Sequence, residues 1–303
     1  MKILFAGTTP QAARVLEHLV ASSEVVAVLT REDAPFGRKR ELTPSAVAVT
    51  AGKNDIPVIK ANRVDSHING QIASTGAELG VVIAYGTLLK QQTLDLLSHG
   101  WLNLHYSLLP KYRGAAPVQR ALFAGEHETG VSVFKLDSGM DTGELYLQVP
   151  TVIEPSENTA DLLERLTTIG ITALDELLPQ IAAGTSSLTA QVGEASLAAK
   201  LGRDDARVDV TQSAEQIENQ VRACNPEPMA WGLIEGEPIR ILEARAIAIN
   251  LDVEPGSVVS ENGRVLLSVG SHSLQLITVQ PASKKPMSAS DWMRGLRAGT
   301  KLS

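Results

Sequence analysis

The sequence predicts an α/β protein: a mostly parallel, doubly wound Rossmann-like sheet followed by a second, smaller OB-like β-barrel domain. Three observations predict it. Short apolar runs alternate with amphipathic helical stretches over the first 180 or so residues, the signature of strands covered by helices on both faces. Near residue 185 the composition turns to Ala, Gly, Ser, Thr and Gln without firm periodicity, as a linker would. Beyond it, short strands are broken by Gly and Asn turns, which suits a small antiparallel barrel. The expected boundaries are 1–184 for the first domain, 185–204 for the linker and 205–303 for the second domain.

The elements follow in order. KILFA, VVAVL, PVIK, LGVVIA, WLNLHYS and GVSVFKL read as strands of four to eight residues, and 142–150 adds a last one. Helical periods fill 11–21, 44–52, 65–75 and 87–97 between them. One long helix is expected over 158–183: Asn158 or Thr159 can cap it, Asp161 and Glu164 suit its first turns, and Gly184 suits its end. In the second domain 213–224 reads as a helix. EPIRILEARAI, GSVVS, GRVLLSV and LQLITVQP then read as strands between EPG, ENG and GSHS turns.

The bulk properties exclude several classes. At 303 residues, 44% hydrophobic and 20% charged, the chain has ample material for two cores. A single cysteine, Cys224, rules out an intrachain disulfide and fits a reducing compartment. The opening MKILFAGTTP reads as a first strand rather than a secretory signal, and no apolar run approaches the ~20 residues that span a bilayer. A soluble, cytoplasmic protein is the expectation. A net charge of −7 argues mildly against a chain devoted to nucleic acid, yet two segments are locally basic. One is 31–40, with Arg31, Arg38, Lys39 and Arg40; the other is 281–303, with Lys284, Lys285, Arg294, Arg297 and Lys301.

The most informative stretch is NLHYSLLPKYRG, 103–114, with Asp141 further on inside LDSGMDTG. Asn103 and His105 are two apart on a strand, so they share a face at its C-terminal end, where open α/β sheets bind ligands. An amide, an imidazole and a carboxylate are the side chains an acyl-transfer site places around a developing oxyanion. Taken singly, each has an ordinary structural reading: a strand-end amide, a half-buried histidine, a turn aspartate. Together, beside a Pro-containing loop and a Gly-rich loop, they make a site. Other chemistries find no footing. FAGTTP supplies one glycine of a dinucleotide fingerprint and lacks the others. Ser107 has no nucleophile elbow around it, and no HExxH, Cys/His cluster or P-loop is present, so no metal is expected.

NLHYSLLPKYRGAAPVQ, the LDSGMDTG loop, FAGT, VVIAYG, ETGVS, ACNPEPMAW and QPASKKPMSASDW together resemble the formyltetrahydrofolate-dependent formyltransferases, over nearly the whole chain. The C-terminal segment and the basic loop resemble the members that act on an aminoacyl-tRNA. The resemblance implies an enzyme that transfers the formyl group of 10-formyltetrahydrofolate to the α-amine of methionyl-initiator-tRNA, for translation initiation. It also implies a monomer with no membrane association. On matching positions, Asn103, His105 and Asp141 are the catalytic trio; Ser107, Leu108, Leu109 and Pro110 are a folate-contacting loop; and Ala84, Tyr85 and Gly86 are a wall of the pterin pocket. Arg38, with Lys39 and Arg40, lies in a loop that meets the tRNA acceptor end, and Lys284, Lys285, Arg294 and Arg297 join it if all line one channel.

By the same resemblance, Asn103 and His105 donate to the oxyanion, while Asp141 raises the pKa of His105 or is itself the base. Two departures stand out: Thr9-Pro10-Gln11 shifts a proline and loses an aromatic, and Tyr106 replaces a frequent glycine and is expected to narrow the folate mouth. The competing readings are a formyltransferase for a nucleotide-linked amino sugar, a hydrolase releasing formate, and a non-catalytic folate- or RNA-binding relative.

Overall fold

The alternating pattern builds one seven-stranded sheet from β1 (Lys2–Gly7), β2 (Glu24–Thr30), β3 (Val58–Lys60), β4 (Leu79–Ile83), β5 (Trp101–His105), β6 (Glu128–Lys135) and β7 (Leu145–Val152). The order is β7-β6-β5-β4-β1-β2-β3, parallel from β5 to β3 and antiparallel at β5–β6 and β6–β7. This is a computed structural model, which describes residues 1–37, 39–297 and 299–303. The chain divides into two compact units: Met1–Pro117, Glu128–Val152 and Leu163–Ala198 form the first; Val118–His127, Ile153–Leu162 and Ala199–Ser303 form the second.

In the first unit, β1 runs to β2 and β3 on one side, then the chain crosses to β4 on the other. The order therefore reverses between β1 and β4, and the crevice beyond their C-terminal ends is where such sheets take ligands. Thr8, after β1, donates its hydroxyl to the Tyr85 carbonyl after β4 at 3.2 Å, tying the two turns. Helix α1 (Pro10–Ser22) is capped by Thr9, whose hydroxyl accepts from the Ala12 N–H, and Pro10 opens its first turn. The shifted proline thus starts a helix. Val15, Leu16 and Leu19 bury its inner face.

Side chains on β5 sort by period two. Trp101 packs with Ile72 and Leu94 on one face, and its indole fills the space over Gly80, where a Cβ would overlap the ring. Asn103 and His105 follow on that face. Leu104 and Tyr106 face the other side, toward helix α2 (Thr159–Ala182): Leu104 meets Gly170, and the Tyr106 hydroxyl bonds Thr167 at 3.1 Å. Burial pushes the Tyr106 phenol up to about 12. The expectation that Tyr106 narrows a ligand mouth is corrected: alternation along the strand turns it into the interface with α2.

Some elements differ from the sequence reading. The helix expected over 87–97 shrinks to Gln91–Leu94, because Leu89, Leu94 and Leu97 all bury in one cluster and only a short turn reaches it. The basic loop after β2 contains a small hairpin, Ala34–Phe36 with Glu41–Thr43. The stretch 185–204 carries defined pairings: Thr189 exchanges backbone bonds with Leu145, and Leu197–Ala198 pairs with Arg113–Gly114.

In the second unit, β8 (Ala230–Ile234), β9 (Glu237–Ile247), β10 (Val258–Glu261), β11 (Arg264–Ser268) and β12 (Ser273–Pro281) pair in the order β8-β9-β12-β11-β10, and Met287–Ser288 adds beside β12. Both edges of the five-strand path meet one tail segment: Leu302 bridges Ile234, and Lys301 bridges Ser257. The sheet thereby closes on itself, which removes its edges. Ile239, Ile241, Leu267, Leu274 and Val279 fill the interior. Helix α3 (Ala214–Cys224), started by a Ser213/Gln216 capping box, buries Ile217, Val221 and Cys224 against that core. The strand β8 and the closing tail were not legible as strands. Among the described residues, no helix is long and apolar enough to cross a membrane.

Candidate active site

His105 ends β5 with only 6% of its surface exposed, its ring edge-on to Phe134. Its Nε2 lies 2.9 Å from the Tyr112 carbonyl oxygen. A carbonyl can only accept, so Nε2 carries the proton and the neutral ring leaves Nδ1 bare; the expectation that the His105 N–H reaches an oxyanion is corrected, because the Tyr112 carbonyl holds it. Nδ1 faces the Asp141 carboxylate at 3.8 Å, close enough for charge to act and too long for a hydrogen bond. Burial, outweighing both the Asp141 charge and the Tyr112 carbonyl, holds the His105 pKa below its ordinary value. This corrects the expected net rise: Asp141 does pull upward, but loss of water around the ring is the larger effect. At neutral pH His105 is an uncharged base with its lone pair toward the carboxylate.

Asp141 reaches this position from a turn. Its backbone is left-handed, φ 55°, a conformation Asp tolerates better than most residues. Its Oδ2 accepts the Gly114 N–H at 2.7 Å. Asn103, half-buried and one pleat before His105, makes no side-chain hydrogen bond among the described residues, so its NH2 is available to an incoming oxygen. The three side chains thus combine a base, a charge that stabilises the base once protonated, and an uncommitted donor on the face His105 shares. That set can abstract a proton from an attacking nucleophile and stabilise a developing oxyanion.

The loop after β5 is held from within. Ser107 is buried and donates to the Lys111 carbonyl at 2.6 Å, a backbone-holding bond. Ser132 on β6 donates to the Ser107 carbonyl at 2.6 Å and accepts the Leu109 N–H at 3.0 Å. Gln148 on β7 donates to both Ser132 and the Leu109 carbonyl, each at 2.9 Å. Leu109 and Pro110 are buried and Leu108 half-buried. Ser132 was missed in the sequence, although a hydroxyl inside the apolar run GVSVFKL is a signal of a specific bond.

At the switch point Ala84 and Gly86 are exposed, both with left-handed backbone (φ 46° and 81°). Tyr85 between them turns inward: it is 1% exposed, its hydroxyl donates to the Ala61 carbonyl at 2.7 Å, and burial raises its phenol to about 12. A ligand there meets Ala84 and main-chain atoms rather than the phenol. Lys39 and Arg40 are exposed in the hairpin after β2; Arg38 lies outside the described residues. Lys284, Lys285, Arg294 and Arg297 are exposed on the second unit, where Arg294 pairs with Asp291.

A bare imidazole nitrogen beside a carboxylate, at the carboxyl end of a parallel sheet, is an arrangement suited to acyl-group transfer. Residues 1–178 match the formyl transferase family and residues 200–297 match the formyl transferase C-terminal domain, and the chain belongs to this family. Its relatives include the methionyl-tRNA formyltransferase of Leifsonia xyli subsp. xyli, 44% identical over 295 residues, covering 97% of each chain. That of Streptomyces coelicolor is 40% identical over 301 residues, 98% of this chain and 97% of the relative. Among solved structures, the sugar 3N-formyl transferase WlaRD matches with a TM-score of 0.66 at 16% identity, over 94% of this chain and 99% of its own. HypX from Aquifex aeolicus matches with a TM-score of 0.68 at 16% identity, over 98% of this chain and 48% of its own. These two likenesses establish the fold.

Proposed function

We propose that this chain transfers the formyl group of 10-formyltetrahydrofolate to the α-amine of methionyl-initiator-tRNA. The observation that carries the chemistry is the buried, neutral His105 with Nδ1 bare toward Asp141, on the strand face that Asn103 shares. The substrate rests on relatives named methionyl-tRNA formyltransferase that match over 97% of the chain.

The residues present suit a folate donor. The turn 84–86 offers small side chains and main-chain polar groups at the switch point, and Leu108 on the neighbouring loop offers an apolar ledge. The bound folate supplies a formyl carbon attached to nitrogen. Asn103 donates its amide N–H to the formyl oxygen as negative charge builds there. His105 Nδ1 takes the proton from the attacking amine as the new C–N bond forms, and the Asp141 charge stabilises the resulting imidazolium. His105 then returns a proton to the departing folate nitrogen as the old C–N bond breaks, so the ring ends neutral.

In this reading the first domain, 1–184, carries the reaction, the segment 185–204 joins it to the second, and the OB-like domain, 205–303, binds tRNA. Exposed Lys39 and Arg40 on one unit and Lys284, Lys285, Arg294 and Arg297 on the other contact phosphates, which position a stem without reading its bases. Arg38 is assigned with them from the sequence. The chain acts as a monomer.

The test is formyl transfer from 10-formyltetrahydrofolate to charged initiator tRNA, with free methionine and a nucleotide-linked amino sugar as parallel acceptors. Formylation of the tRNA alone supports the reading. Transfer to the sugar, or formate release without acceptor, would keep the chemistry and overturn the substrate.

A further inference from the structure

We infer that Gln191, in the stretch expected to be a plain linker, is the positioning residue of the catalytic carboxylate. Its side-chain NH2 donates to the Asp141 carbonyl at 2.9 Å and to the Gly143 carbonyl at 2.8 Å. Its Oε1 accepts from Arg113, at 2.6 Å from one terminal guanidinium nitrogen and 3.2 Å from Nε. All three groups of one amide are therefore engaged, and two of those bonds fix the turn that carries Asp141.

The surrounding segment has the same orientation. Thr189 exchanges backbone bonds with Leu145 just after that turn. Ser196 accepts the Tyr112 N–H at 2.9 Å, and Leu197–Ala198 pairs with Arg113–Gly114. Tyr112 supplies the carbonyl that sets the His105 tautomer, and Gly114 supplies the N–H that holds Asp141 Oδ2. Residues 189–198 thus lie across both loops that aim the trio. The local sequence pattern is inverted to allow this: Gln191 turns inward while its neighbour Val192 is 86% exposed. Asp141 sits at φ 55°, so without the two N–H donors its turn is free to leave that conformation and carry the carboxylate away from Nδ1.

The inference rests on the reading that Asp141 acts with His105, and the experiment separates the two. In the full-length chain, kcat and KM for both substrates are measured against pH for Gln191→Ala, Gln191→Glu and Asp141→Asn. Gln191→Glu keeps an acceptor for Arg113, loses both donors and adds a negative charge, so the pH readout is taken from Gln191→Ala and Gln191→Glu reports on kcat. We expect both Gln191 variants to fold and to lose kcat by about ten- to a hundredfold, as misplacement of a reacting group does. KM should change by less than about twofold. The acid limb of the kcat profile should move to lower pH, because the retreating Asp141 is the charged group that raises His105. A purely structural role would lower the folded fraction and leave that limb in place, which overturns the inference. Wild-type kcat in both Gln191 variants with an inactive Asp141→Asn overturns it while sparing the catalytic reading. Full activity in Asp141→Asn overturns both.

Discussion

The two surfaces to which a function is proposed are built in opposite ways. At the carboxyl end of the parallel sheet nearly every polar atom is engaged: His105, Ser107, Ser132 and Asp141 are held by bonds of 2.6 to 3.0 Å in the interior, and Asn103 is the free donor. On the barrel unit, Lys284, Lys285, Arg294 and Arg297 stand exposed on a closed hydrophobic core. In the proposed reading the first surface works by close placement in low dielectric, so loss of one side chain should cost much of the rate. The second, in the same reading, attracts by summed charge in water, so each side chain should be replaceable and all screened by salt.

The largest break in that contrast should come from the trio. His105→Ala should lower kcat by about a hundred- to ten-thousandfold, and Asn103→Ala by about a hundred- to a thousandfold, with folate affinity kept. Single-turnover formylation and folate titration measure the two separately. Comparable losses of folate binding would remove the catalytic assignment.

Next in size is the barrel closure. Leu302 is 4% exposed and bridges the edge of β8, so Leu302→Ala should cost about 2–5 kcal/mol of stability. Denaturant unfolding should register the loss. An unchanged midpoint would mean the tail is not what closes the sheet.

The pH response sharpens the comparison further. His105 has a folded pKa below its unfolded value near 6.5, so the unfolded chain binds the extra proton first. Its contribution is fully present above about 6.5 and is lost as pH falls from there through the lowered folded value. Activity should follow, with an acid limb below about 6.5 that disappears in His105→Ala. An acid limb above 6.5 would contradict the burial argument.

The smallest effects belong to the cations. Neutralising Lys284, Lys285 or Arg297 singly should weaken tRNA binding a few-fold and reduce the slope of log affinity against log salt by about one each. Folate affinity should be indifferent to salt. A flat salt response for tRNA would remove the electrostatic role.

The sequence by itself determined the α/β alternation, the antiparallel second domain and the placement of Asn103 and His105 on one strand face. Periodicity is local, so it survives without the fold: Leu104 and Tyr106 had to face away once Asn103 and His105 faced the site. Residue chemistry singled out Asp141, and family resemblance supplied its catalytic role and the folate-contacting role of the loop 107–110. Only the tertiary structure decided which imidazole nitrogen is free, because the Tyr112 carbonyl that sets it arrives by a loop fold. It likewise decided that burial outweighs Asp141 in setting the charge of His105, since desolvation depends on everything packed around the ring. It turned Tyr85 into the core, joined Leu302 to β8 and Lys301 to the start of β10, and brought Gln191 to Asp141 across fifty residues of chain. Contacts between residues distant in sequence leave no period or motif in the stretches that make them.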